Sequence, residues 1–270
     1  MRGRTLSRRR RRTIVPCVIV VATAMGGCAG RVSPPGAVSP DRPGYTDTPP
    51  ALPAGALQVE VGSTDDRTAT VEYSTIGETL LRVGVGARSE LRLFGNSYAI
   101  RSTTGLARVD GMEDPKVGIK TNLRVVPDSL HSFIPNVAAL VAVTLPAGAP
   151  GLTAGRAQPE AKLAVNWTTP SPLSVYSNVG AGAVYDGSRW GEHGWLSVAV
   201  WYAVNPRISL LGEGISVRSL GGTALPSNAA DAGITYLIND RFQIDLRAGH
   251  GFGGAAGSER FVGAGFARRW

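Results

Sequence analysis

The stretch RFQIDLRAGHGF, residues 241–252, alternates polar and apolar side chains almost to its end. Arg241, Gln243, Asp245 and Arg247 fall on one parity; Phe242, Ile244, Leu246, Ala248 and Phe252 fall on the other. A period of two sends successive side chains to opposite faces of an extended strand. The pattern recurs from residue 55 onward, and no helical period persists over a useful length. In 116–125, Lys116, Gly118, Lys120, Asn122 and Arg124 oppose Val117, Ile119, Thr121, Leu123 and Val125. Runs of this kind predict about twelve strands, at 56–64, 78–86, 89–98, 114–124, 135–146, 159–169, 172–184, 194–204, 206–217, 228–238, 241–252 and 259–270, with 67–77 extending the second. The fold is therefore all-β, and the question is whether the apolar face meets a protein core or lipid.

The connections bear on that question. The segments at 87–89, 169–172, 205–206 and 239–240 are very short, whereas 100–113, 147–158, 185–193 and 218–227 are longer. Two connections depart from the alternation: 125–134 is long and 253–258 only moderate. Membrane barrels sort turns this way, short at the periplasmic end and long outside. A soluble sandwich has no reason to. Most runs are near the roughly 9–11 residues that cross a bilayer at a tilt. Trp167, Tyr202, Tyr236, Phe242 and Trp270 lie on the apolar parity near the short-turn end, with Tyr185 and Phe252 near the other. Aromatic side chains at both ends of an apolar band form the interfacial girdles of a barrel. In hydrocarbon every backbone N–H and C=O must be paired, so the sheet must close. The expectation is a closed antiparallel transmembrane β-barrel over 55–270.

The remaining chain reads as an export apparatus. Seven of the 28 basic residues lie in the first 12 positions, and without them 21 basic side chains face 20 acidic ones. The high pI thus gives no support for nucleic-acid binding. An apolar run, TIVPCVIVVATAM, follows and suits a signal peptide over 1–27. Two cleavage readings stand, one after Ala24 and one before Cys28, where Met25-Gly26-Gly27-Cys28 resembles a lipoprotein box and would place a lipid on Cys28. Residues 28–54 hold seven prolines and predict an extended, solvated periplasmic linker. Cys17 and Cys28 are the only cysteines. No cluster has metal-ligand spacing, and no cofactor motif appears.

Inner-parity charges of both signs predict an ion network across the lumen, an aqueous path, or both. At this point a resemblance enters. DRPGYTDTPPALPAGALQVEVG (41–62), LLRVGVGARSELRL (80–93), DPKVGIKTNL (114–123), DAGITYLINDRFQIDLRAGHGF (231–252) and FVGAGFARRW (261–270) resemble the bacterial outer-membrane transporter family linked to the meta-pathway of phenol degradation. The resemblance implies a channel in a Gram-negative outer membrane for small solutes, aromatic or hydrophobic ones among them. It singles out Glu60, Arg82, Glu90, Lys120, Glu213, Asp231 and Asp245 as pore-lining or substrate candidates, all on the inner parity. A closing strand that ends in an aromatic, Trp270, resembles the signal read by the outer-membrane barrel assembly machinery. Lipid is the other expected partner.

Three alternatives were weighed. A Ser/His hydrolase would need His131–Ser132, which maps to a periplasmic turn, or His193 with Glu192 in an external loop, which lacks a serine partner; His250 sits on the lipid parity. The chain is expected not to be an enzyme. A lipid-anchored soluble β-sandwich acting as a binding module would keep the linker and the strands but not the detergent requirement. A non-conducting structural barrel would keep everything but the current.

Overall fold

The structure, a computed structural model, describes residues 37–95, 97–126, 134–168, 172–220, 226–254 and 259–270. Cys28 and His131–Ser132 lie outside them. The strands in chain order are β1 (Leu57–Arg67), β2 (Val71–Val85), β3 (Ser89–Gly95), β4 (Tyr98–Thr103), β5 (Val109–Met112), β6 (Lys116–Arg124), β7 (Asn136–Thr144), β8 (Gln158–Thr168), β9 (Leu173–Tyr185), β10 (Trp190–Asn205), β11 (Ile208–Leu220), β12 (Ser227–Asn239), β13 (Phe242–Gly254) and β14 (Arg260–Arg269). Both β3 and β4 pair with β2, at Thr79–Val85 and Val71–Ile76, so they are two halves of one wall position. β5 and β6 are halves of the next, paired to β4 and β3. Twelve antiparallel positions result, and β1 closes the ring by pairing with both β14 and β2. The closed antiparallel barrel expected from the alternation is the fold.

Two local features bend the wall on one side. Gly77, with φ of +77°, is skipped between the partners of Gly62 and Ser63. A glycine in this conformation makes a β-bulge that reverses parity along the strand. Thr75 is consequently buried with Leu80, Arg82 and Gly84, although they differ in parity. Pro115 has no N–H to give the ladder, and β5 ends before it. The segment beyond β7 fills the gap, with Gly148 and Ala154 donating backbone N–H groups to the Asp114 carboxylate at 2.7 and 3.0 Å.

The two faces are unlike. Outward side chains form an exposed apolar belt that includes Ile119, Val141, Leu163, Val198, Leu210, Ile234 and Leu246. Inward ones include fully buried Gln58, Glu60, Arg82, Glu90 and Lys120. A water-soluble protein puts its apolar side chains inside. The reversed arrangement, with every strand paired, is that of an outer-membrane barrel in lipid.

Three expectations change. Residues 100–113 are not a long loop: most of them form the β4–β5 hairpin, which turns at Thr104–Ala107 beyond the bent wall. Residues 185–193 contain only a tight turn, in which the Asp186 carboxylate accepts the N–H groups of Ser188 and Arg189, both at 2.9 Å. These bonds hold the Asp186 carboxyl well below the usual range. The largest change is in the proline-rich segment. Its described part, 37–54, is not solvated: Val38, Asp41, Thr46, Asp47 and Leu52 are buried, as are Pro43 and Pro49. The segment runs inside the barrel.

Candidate functional site

The physical problem in burying such a segment is its backbone. Pro40, Pro43, Pro49, Pro50 and Pro53 carry no N–H. Most of the remaining donors are met by side chains of the wall. Glu60 accepts from Asp41 N and Arg42 N at 3.0 and 3.2 Å. Glu213 accepts from Tyr45 N and Thr46 N, one on each oxygen, at 2.6 Å. Asn178 accepts from Asp47 N at 2.8 Å and donates to its carbonyl at 3.0 Å. Asn122 and Glu90 accept from Ala51 N and Leu52 N at 3.0 and 2.8 Å. Carbonyls are met by cations: Lys120 Nζ donates to Thr48 O at 2.9 Å, and Arg82 donates to Ser39 O and Pro50 O at 2.9 and 3.3 Å. The segment thereby circles the lumen from the β12–β13 turn, where Val38 N donates to Asp240 O at 2.7 Å, to the start of β1.

Glycines on the inner parity make room for it. A Cβ on Gly62 would stand 2.1 Å from the Arg42 guanidinium carbon, and one on Gly265 2.4 Å from Arg42 Nε. A Cβ on Gly84 would stand 1.9 Å from Pro53 O. Arg42, laid across this floor, bonds Glu78 at 2.9 Å and Ala264 O at 3.1 Å.

The structure brings four of the seven candidates into one buried group. Arg82 forks onto Glu90 through Nε and Nη2, both at 2.9 Å, and reaches Glu60 at 3.0 Å; Lys120 lies 3.3 Å from Glu90. Arg92 joins them, bonding Glu90 at 2.9 Å, Asp41 at 2.6 Å and Asp47 at 2.9 Å. Buried charges are tolerable when paired in this way. Burial works against the charge of Asp41, but Arg82, Lys120 and Arg92 outweigh it and hold its carboxyl well below the usual range. The other three candidates stand elsewhere. Glu213 clamps the segment from β11, with Asp231 as its cross-strand partner. Asp245 lies 3.5 Å from Arg42. Asp231 lies 3.9 Å from Arg247, and neither of its carboxylate oxygens has a hydrogen-bond partner among the described residues. The expected ion network is present, and its bonds run to the inserted segment.

Asp41, Arg42, Tyr45, Thr46, Asp47, Asn178 and Gln58 were not among the sequence candidates. Charged and hydroxyl residues interspersed in a proline run, together with inner-parity glycines, were the available signal. Of the aromatic residues on the apolar parity, Tyr202, Tyr236 and Trp270 are exposed on the outside, and Trp167 and Phe242 are half-buried. His193 is not in an external loop. It lies on β10 facing inward, its ring 5.1 Å from that of Trp195. Arg124 and Arg241, on the polar parity of their strands, are exposed at the short-turn end.

Above the segment, toward the long loops, a cavity of about 650 Å³ is lined by Arg42, Tyr45, Phe94, Glu160, Trp195 and Arg247 among others. Among the described residues, no group of three or more His, Cys, Asp or Glu is placed to hold a metal ion.

No curated protein matches this chain. Among solved structures, an outer membrane channel from Pseudomonas putida F1 is similar with a TM-score of 0.63 at 15% identity, over 86% of this chain and 100% of that one. The NanC porin follows at 0.54 and 8% identity, over 78% and 98%. The KdgM porin, in complex with disordered oligogalacturonate, gives 0.51 and 7%, over 77% and 98%. These likenesses establish the fold. A family model described as "Putative MetA-pathway of phenol degradation" matches residues 40–270, the inserted segment included, and the chain belongs to that family.

Proposed function

We propose that the protein is an outer-membrane channel for small solutes whose passage is set by its own residues 37–56. The observation that carries this reading is a closed twelve-position barrel with an apolar exterior, a charged interior and a cavity of about 650 Å³ ending on the inserted segment. Twelve positions lie between the roughly 8 that leave a filled interior and the roughly 16 that leave a wide channel. A lumen of that size accommodates both a folded-in segment and a narrow path beside it. The fold neighbours described as a channel and as porins support transport over catalysis. The family description supports aromatic compounds among the solutes. Glu60, Arg82, Glu90, Lys120 and Glu213 then act by holding the segment, whereas Asp231 and Asp245 make no bond to its backbone; Lys116, Glu160 and Arg247 are among the charges that line the cavity.

The test is single-channel recording of the refolded full chain in planar bilayers. Discrete conductance steps support the channel. A second reading, a barrel that only braces the envelope, is favoured by the tight seating of the segment. Silence across independent preparations supports that reading and overturns ours. Two further proposals concern biogenesis: a leader cleaved either after Ala24 or before Cys28, with Cys28 as the lipid acceptor in the second case, and recognition of β14 with Trp270 by the assembly machinery. Mass spectrometry of the mature N-terminus tests the first, and truncation of Trp270 the second.

A further inference from the structure

One side chain of the inserted segment, that of Tyr45, faces the outer cavity. The backbone of Tyr45 is fixed: its N–H and that of Thr46 are held by the two oxygens of Glu213 at 2.6 Å. Thr46 Oγ1 also bonds Ser197 Oγ at 2.8 Å on β10. Gly44, just before Tyr45, sits tightly against the wall, where a Cβ would stand 3.1 Å from Leu211 Cδ2. Pro43 rests on the wall too, 3.0 Å from where a Gly233 Cβ would be. The backbone is thus clamped on both sides of the ring, while Tyr45 itself is 49% exposed in the interior of the barrel. Its hydroxyl makes no hydrogen bond among the described residues. The ring lines the cavity with Arg42, Phe94 and Trp195. Trp195 in turn lies flat on the wall: a Cβ on Gly180 would stand 2.3 Å from its Cζ2.

We propose that Tyr45 is the specificity-determining residue of the channel, its ring acting as a sieve and a stacking face for solute arriving in the outer cavity. This rests on the channel reading above. A fixed backbone with an unbonded ring is what a sieve requires, because the ring keeps its place and retains rotamer freedom to yield. Aromatic faces attract planar rings through offset stacking more than saturated rings of similar size. Selectivity would then be carried by a part of the chain that is not barrel wall, and would change with a single side chain.

The experiment compares the full-length wild type with Tyr45→Ala and Tyr45→Phe in planar bilayers and proteoliposomes. Conductance is recorded, together with swelling in arabinose and raffinose, and current block by benzoate and cyclohexanecarboxylate. Tyr45→Ala is expected to raise conductance by about twofold or more, to narrow the arabinose-to-raffinose ratio, and to abolish the stronger block by benzoate. Tyr45→Phe is expected to keep wild-type sieving and block, since the ring and not the hydroxyl does the work. If wild type and Tyr45→Ala both conduct with the same sieving and block, the proposal is overturned and the channel reading stands. If none of the three conducts, both fall together.

Discussion

Glu213 concentrates what residue-scale chemistry does in this protein. One carboxylate satisfies two buried backbone donors that would otherwise be stranded. Glu213→Gln keeps the shape and turns one acceptor oxygen into an amide donor facing an N–H. Hydrogen bonds to charged groups are worth about 1.5–3 kcal/mol, so the population with the segment displaced should rise roughly tenfold to hundredfold. Limited proteolysis of residues 37–56 and open-channel noise measure it, and no change in either would remove Glu213 as a clamp. Gly84→Ala attacks the same contact sterically, since its Cβ would stand 1.9 Å from Pro53 O. It should release the segment near β1 while the barrel keeps its melting temperature. At the long-loop end, burial first and then the neighbouring Asp66 push the Glu259 carboxyl from 4.5 up to about 7. A raised carboxyl binds its proton more tightly when folded. Its stabilisation is therefore complete below about pH 4.5 and lost as pH rises through about 7. Wild-type melting temperature should fall between about pH 5 and about pH 8 by more than that of Glu259→Gln, measured in detergent. Equal slopes would remove the Asp66–Glu259 interaction from the account.

At the scale of elements, the inserted segment is the part able to move, because it is held by side chains rather than by a ladder. Thr46 Oγ1 and Ser197 Oγ are 2.8 Å apart, a spacing two sulfurs can bridge. Thr46→Cys with Ser197→Cys, in a chain lacking Cys17 and Cys28, should conduct less when oxidised and recover on reduction. Identical conductance in both states would mean that the segment need not leave its seat. The strands themselves were legible wherever polar and apolar residues alternate, as in β6, β12 and β13. The β4–β5 hairpin was not, because Tyr98–Thr103 and Val109–Met112 are short and the second runs directly into Glu113–Pro115. The proline segment was misread as solvated for a definite reason. Proline excludes a chain from a ladder, but it also lowers the number of N–H groups that burial strands. The second consequence decides when carboxylates are waiting on the wall.

The whole molecule is stabilised by lipid outside and by paired charge inside. Leu246 is 56% exposed on the belt. Leu246→Arg should cost about 2–4 kcal/mol if it lies near the midplane, and less toward the interfaces. The loss would appear as a smaller fraction of the compact, heat-modifiable gel species. A mature chain freely soluble without detergent would contradict the belt and, with it, the membrane. The candidate site was legible in part. Family resemblance and parity placed Glu60, Arg82, Glu90, Lys120, Glu213, Asp231 and Asp245 inside the barrel, and they are inside. Their partners were not legible, since Asp41, Tyr45 and Asp47 are separated from the wall residues they meet by 19 to 168 positions.

The period-two alternation, the short turns at one end and the aromatic rims determined by themselves that this chain closes into a barrel with lipid outside. They are local patterns, and a closed sheet follows from them because hydrocarbon tolerates no unpaired backbone. Only the tertiary structure decided that the lumen is occupied by residues 37–56. That outcome depends on carboxylates, cations and glycines from strands far apart in sequence meeting one short segment, and no local pattern encodes such a meeting.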